Sequence, residues 1–121
     1  MHKAVLLEKE LTEYSVAVIK LVKKIEKDIP RSLADQIIRS ATSIGANYTE
    51  AINGSSKADF KNKIYISKKE ASETKYWLNI IDSVTDNKYP DISEIKQQTQ
   101  KYIMILQKTI NTLNHGTAKA K

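Results

Sequence analysis

The chain has no cysteine among its 121 residues. That excludes disulfides, thiolate metal sites and cysteine nucleophiles, and it suits a reducing compartment. Only 3 Gly and 2 Pro are present, so turns are few and long helices are expected. The two histidines, His2 and His115, lie near the two ends of the sequence. Without an internal histidine there is no Ser-His-Asp set inside the fold, and the Glu-x-x-His pattern of di-iron bundles is missing. Ile44-Gly45-Ala46-Asn47 has one glycine and no Lys-Ser/Thr pair, so it is no phosphate loop. No segment approaches a membrane span, and the apolar run within Met1–Glu8 is too short for a signal peptide. The expectation is a cytoplasmic non-enzyme with no cofactor, no metal and no membrane association.

What is present is patterning. About 40% apolar residues suffice for one core in a chain of this length. Val5–Ile29 carries Leu7, Leu11, Tyr14, Val18, Leu21 and Ile25 at alternating four- and three-residue steps, which predicts a first helix ended by Pro30. Ser32, with Asp35 three residues on, predicts the N-cap of a second helix that stops at Asn53-Gly54. A third helix opens near Ser56–Asp59 and runs to about Thr85, facing inward with Phe60, Ile64, Ser67, Ala71, Thr74, Leu78 and Ile81. A fourth starts near Asp91–Ser93 and continues to about Leu113, facing inward with Ile92, Ile95, Thr99, Tyr102, Leu106, Ile110 and Leu113. Residues 1–113 therefore read as one all-α domain, an antiparallel up-down-up-down four-helix bundle, and residues 114–121 as a disordered basic tail.

The second helix carries an apolar stripe of Leu33, Ile37, Ala41, Ile44, Tyr48 and Ala51, and a polar stripe beside it. Gln36, Ser40, Ser43, Asn47 and Glu50, with Arg39 at the edge, are short hydroxyls and amides where a solvated face would carry Lys and Glu. This predicts a hydrogen-bonded seam that sets helix register. Glu70 and Glu73 lie among apolar residues of the third helix, and buried carboxylates need partners. The expected structural network is Gln36, Arg39, Ser43, Asn47, Glu50 and Glu73. If it is buried, Arg39→Ala should lose several kcal/mol, of the order seen when one partner of a buried pair is removed, about 3–5 kcal/mol.

Several large residues fit no single core. Val5, Val16 and Ile19 point away from the first helix's seam, and Ile66, Trp77, Ile80 and Val84 form a second line on the third helix. A wide core is one explanation; contact with further copies of the chain is the other, and the one favoured here.

The charge is +6 overall. Residues 1–60 contribute +1 (9 Lys/Arg, 8 Asp/Glu) and residues 61–121 contribute +5 (11 Lys/Arg, 6 Asp/Glu). Lys61, Lys68 and Lys75 recur every seven residues on the third helix, with Lys57 and Lys69 close by and Tyr65 and Tyr76 flanking them. Cations on one stripe beside aromatic rings suit phosphate contact plus stacking on unpaired bases. Lys20, Lys23, Lys24 and Lys27 form a second cluster, and Lys119 and Lys121 add charge to the tail. The expected function is RNA or DNA binding. The alternative is a structural or protein-interaction module whose basic surface serves solubility.

Gln36-Ile37-Ile38-Arg39-Ser40-Ala41-Thr42-Ser43-Ile44-Gly45-Ala46-Asn47-Tyr48-Thr49-Glu50-Ala51 resembles the signature of bacterial four-helix-bundle proteins encoded in intervening sequences of 23S ribosomal RNA genes. Lys69-Glu70-Ala71-Ser72-Glu73-Thr74-Lys75-Tyr76-Trp77-Leu78 is similar to that family's second block. The accessory variability proteins of diversity-generating retroelements are similar too. The resemblance implies a homopentameric ring, nucleic-acid binding, and a protein partner such as a reverse transcriptase. It also implies that Arg39, Ser43, Asn47, Glu50 and Glu73 are the family's shared polar positions. Ala51 stands where many relatives have Gly, so the second helix is expected to end later.

Overall fold

The computed structural model describes the backbone of residues 2–120 and the side chains of residues 3–115. His2, Lys119 and Lys121 as side chains lie outside the described residues. Four helices account for almost all of it: α1 (His2–Ile25), α2 (Arg31–Ile52), α3 (Lys57–Val84) and α4 (Pro90–Ala120). They pack in chain order, α1 on α2, α2 on α3 and α3 on α4. The α2–α3 pair has the broadest contact, and α1 closes on α4 with the thinnest. No strand occurs among the described residues.

The helix ends show where local chemistry overrides the simpler sequence reading. α1 stops at Ile25, not Ile29, and the chain tightens into a 3-10 turn over Glu26–Asp28. Ile29 must then be extended (φ −131°, ψ 152°) because Pro30 follows it. Ser32 does not cap α2. Pro30 holds the cap position at φ −62°, ψ 145°, and its carbonyl accepts from the amides of Leu33 and Ala34 at 3.0 and 3.2 Å. Proline lacks an N–H, but a helix start has no acceptor for one, so the residue suits this position. Ser56 does cap α3, its Oγ accepting from the Asp59 amide at 3.0 Å. α4 continues past Leu113 through Ala120, across the segment read from sequence as a tail.

Between α3 and α4 the chain turns through Asp86 (φ 54°) and Asn87 (φ 58°). Two successive left-handed residues are tolerated here because Asp and Asn enter that region more readily than other side chains. The next residues fasten this loop to the 3-10 turn. Tyr89 donates its hydroxyl to Asp28 and Lys88 pairs with Asp28 at 2.9 Å; beside them Lys24 of α1 pairs with Asp91 of α4 at 3.0 Å. The Tyr89 hydrogen bond and then the Lys88 ammonium hold the Asp28 carboxyl below its ordinary pKa. An unfolded chain therefore takes up this proton first as the pH falls, and the stabilisation present at neutral pH is lost on the way down through the folded-state pKa. Asp28→Asn should flatten the decline of melting temperature from pH 5 towards acid; an unchanged acid limb in thermal melts would refute the linkage.

The core is built from the predicted stripes. Leu11, Val18, Ile25, Ile37, Ile44, Ile64, Leu78, Ile81, Ile92 and Leu106 are all essentially inaccessible. Buried hydroxyls cross it. Thr74 and Ser40 share a hydrogen bond at 2.9 Å, and Ser67 donates to the Ile44 carbonyl at 2.7 Å. The Tyr14 hydroxyl lies 2.5 Å from Thr99 Oγ1, and Thr99 itself donates to the Ile95 carbonyl at 2.7 Å. Tyr14 is therefore the donor of the first of these bonds. Among the described residues no buried side-chain polar atom lacks a partner. Burial drives the Tyr14 phenol pKa upward, so it stays neutral.

Candidate nucleic-acid interface

α3 carries three kinds of surface on one 28-residue helix. At 100° per residue, Lys57, Lys61, Lys68 and Lys75 fall within about 40° of arc, and Lys61 to Lys75 spans about 21 Å. Tyr65, Lys69 and Tyr76 lie roughly a quarter-turn further round. Lys57 and Lys69 are exposed; Lys61, Lys68 and Lys75 are half-buried, their stems lying along the helix surface. Lys75 reaches α4 and donates to Gln100 Oε1 at 2.7 Å, a neutral partner that leaves its charge uncompensated.

The rings are open to solvent. Tyr65 is 43% exposed and Tyr76 is 58% exposed. The Tyr65 hydroxyl accepts from Asn114 Nδ2 at 3.3 Å, which steadies the ring against α4. Tyr76 meets Trp77 edge-on at 5.2 Å. A shallow concavity of about 450 Å³ lies beside Tyr65, lined also by Ile66, Lys68, Lys69 and Ser72. The structure thus places all seven predicted contact residues on one helix, with the lysine line adjacent to the tyrosine line.

The polar residues of α2 do not form one network. Arg39 bridges to α3 through Glu70, at 3.3 Å, and through Glu73. Glu73 also accepts from Trp77 Nε1 at 3.3 Å. Asn47 stays on its own helix, donating to the Ser43 carbonyl at 2.8 Å, and Ser43 donates to the Arg39 carbonyl at 2.7 Å. Glu50 turns to Lys63 at 2.8 Å, and Gln36 is exposed. The reason is direction: Glu50 lies three turns of α2 beyond Arg39, at the level of the start of α3 rather than of Glu73. The inter-helix seam is instead made by Ser40, Ser67 and Thr74, with Arg39 at its solvent edge.

The Arg39 side chain is 49% exposed, against 17% for Glu70. Half-exposed pairs are screened, so Arg39→Ala in an isolated chain should cost about 1 kcal/mol, not several. Urea unfolding at low protein concentration checks this. A much larger loss there would mean that Glu70 is stranded without water.

A second polar group, between α1 and α4, was not legible in the heptad pattern. Glu10 accepts from Lys101 at 3.2 Å and from the Tyr102 hydroxyl at 3.3 Å, and Tyr102 packs edge-on against Tyr14 at 5.3 Å. Burial, then the Glu10 charge, pushes the Tyr102 phenol up to about 12. Its partners Glu10 and Tyr14 lie on the first helix, far away in sequence, and no local signal announces them. Among the described residues no group of three or more His, Asp or Glu is placed to hold a metal ion. No helix is long and apolar enough to cross a membrane.

An all-helical domain of four packed helices, with a hydroxyl-lined seam and a basic face on α3, defines the class of protein. The family model of the 23S rRNA-intervening sequence protein matches residues 6–109, and the chain belongs to that family. It is also similar to a crystal structure from Bacteroides thetaiotaomicron, described as a protein with unknown function from the S23 ribosomal protein family. That chain is 33% identical, with a TM-score of 0.77 over 85% of this chain and 96% of the other. A comparison with curated proteins found no match. Neither description names an enzymatic activity.

Proposed function

We propose that this chain is a non-enzymatic, homo-oligomeric bundle that binds RNA or DNA through the basic face of α3. One observation carries the reading. Among the described residues Lys57, Lys61, Lys68 and Lys69 have no carboxylate partner, whereas Lys24, Lys63, Lys88, Lys96 and Lys101 each have one; Lys20, Lys23 and Lys27 are unpaired too, but the α3 set stands in line beside the exposed Tyr65 and Tyr76. A solvated, uncompensated line of cations is what a polyanion recruits, because binding releases its counterions. Exposed Tyr65 and Tyr76 add faces on which unpaired bases stack.

Oligomerisation rests on a separate feature. Leu6 is 58%, Val5 51% and Met104 63% exposed, and Trp77 and Ile80 are only partly covered. A ring of copies covers such residues and multiplies the basic line around its rim. The family resemblance favours five copies, with a protein such as a reverse transcriptase as a further partner. The same exposed apolar residues favour the second reading, an interaction module with no nucleic-acid role.

Fluorescence anisotropy with labelled single-stranded RNA and DNA separates the two. Nucleic-acid binding by three or four lysines predicts that log K falls with log salt at a slope of roughly −2 to −3. No binding at 50 mM salt would leave the interaction module. Sedimentation equilibrium tests assembly; a monomer at micromolar concentration would end that part of the proposal.

A further inference from the structure

Beside the starts of α1 and α3, the end of α2 and the Thr112–Leu113 stretch of α4, the helices leave a cleft of about 980 Å³. Sites for small ligands reach this size. Its wall is mostly apolar, with Ala51 and Ile52 from α2, Phe60 from α3 and Leu113 from α4. Among the described residues the charged groups of the wall are Lys57 and Lys61 alone. They stand four apart on α3 and so share one face. Of the two carboxylates nearest in sequence, Glu50 pairs with Lys63, and Asp59, outside the wall itself, accepts from the Ser55 hydroxyl at its edge at 3.2 Å. An apolar pocket whose charges are all positive selects a molecule with a greasy body and an anionic end.

We propose that this cleft binds a free amphiphilic carboxylate of the medium-chain fatty-acid class, its tail along Ala51, Ile52 and Phe60 and its head group between Lys57 and Lys61. The body supplies affinity through burial, and the lysines supply the sign of charge accepted. Each further methylene that enters the cleft raises affinity about fourfold. The cleft shares Lys57 and Lys61 with the proposed nucleic-acid face, which continues along α3 to Lys75 and Tyr76, and adds an apolar wall that the face lacks.

Calorimetric titration with octanoate, decanoate and dodecanoate, each below its micelle concentration, tests the proposal. Affinity should climb about fourfold per methylene across the series, and decanol and decylammonium should bind at least tenfold more weakly than decanoate. Amide spectra should shift at Ile52, Gly54 and Ala58 and stay still at Tyr76. Lys57→Gln with Lys61→Gln, both near the surface, should erase the preference for decanoate over decanol while the helical melt is unchanged. Equal binding of the cationic and anionic amphiphiles, shifts centred away from the cleft, or an unaltered preference in the double variant would each overturn it. So would binding seen with phosphatidylglycerol vesicles but not with free decanoate.

Discussion

Reversing Lys61, Lys68 and Lys75 together to Glu is expected to weaken RNA or DNA binding by on the order of 10²–10³-fold at 0.1 M salt. Each neutralised phosphate contributes close to one power of the salt concentration to the binding constant, so three lost contacts give a loss of that size. The salt slope should shrink by about 2 to 3 in the same measurement. The fold should survive, because none of the three lysines pairs with a carboxylate among the described residues and only Lys75 has a recorded side-chain partner, Gln100. Reversal of Lys24, Lys88 and Lys101 provides the comparison. Those cations are already matched to Asp91, Asp28 and Glu10, so their loss should lower stability before it lowers binding. If the two triple variants bind equally, the α3 face is not the interface.

Leu78→Ala is expected to destabilise the domain by about 3–5 kcal/mol, the range for fully buried leucines that leave a cavity. Leu78 is wholly inaccessible in the C-terminal third of α3, a helix packed against both α2 and α4, so few neighbours can relax into the space. Leu6→Ala is the counterpart. The residue is 58% exposed in one copy, so in a monomer the effect should stay within about 0.5 kcal/mol. In an assembly that covers α1 the effect should instead grow as protein concentration rises. Urea melts of both variants at two concentrations distinguish these outcomes. A loss below about 1 kcal/mol for Leu78→Ala would contradict the packing described.

The helices and the core were legible because heptad spacing alone places Leu11, Ile37, Ile64 and Leu106 inward. The position of the lysines on α3 was legible for the same reason. Their compensation was not. Whether a lysine has a carboxylate opposite it depends on which helices meet, and Glu50 with Lys63 or Lys101 with Glu10 follow only from the packed bundle. The seam was half legible. Small hydroxyls on α2 foretold hydrogen bonds to α3, but the bonding set is Ser40, Ser67 and Thr74, while Asn47 and Ser43 bond back to their own helix. Short polar side chains satisfy themselves locally when the neighbouring turn is nearer than the neighbouring helix. The cap of α2 was misread because Ser32 looks stronger than Pro30 by side-chain chemistry, while the backbone carbonyl of Pro30 already serves the first turn.

The thin junction of α1 with α4 has a kinetic consequence. Every other broad packing surface joins helices adjacent along the chain, so most of the structure can form from short-range encounters, a topology that folds in microseconds to milliseconds. Joining the first helix to the last is the one long-distance step. It should come late in folding and be the earliest to reopen, with amide exchange near Glu10 and Lys101 outpacing that around Ser40 and Thr74.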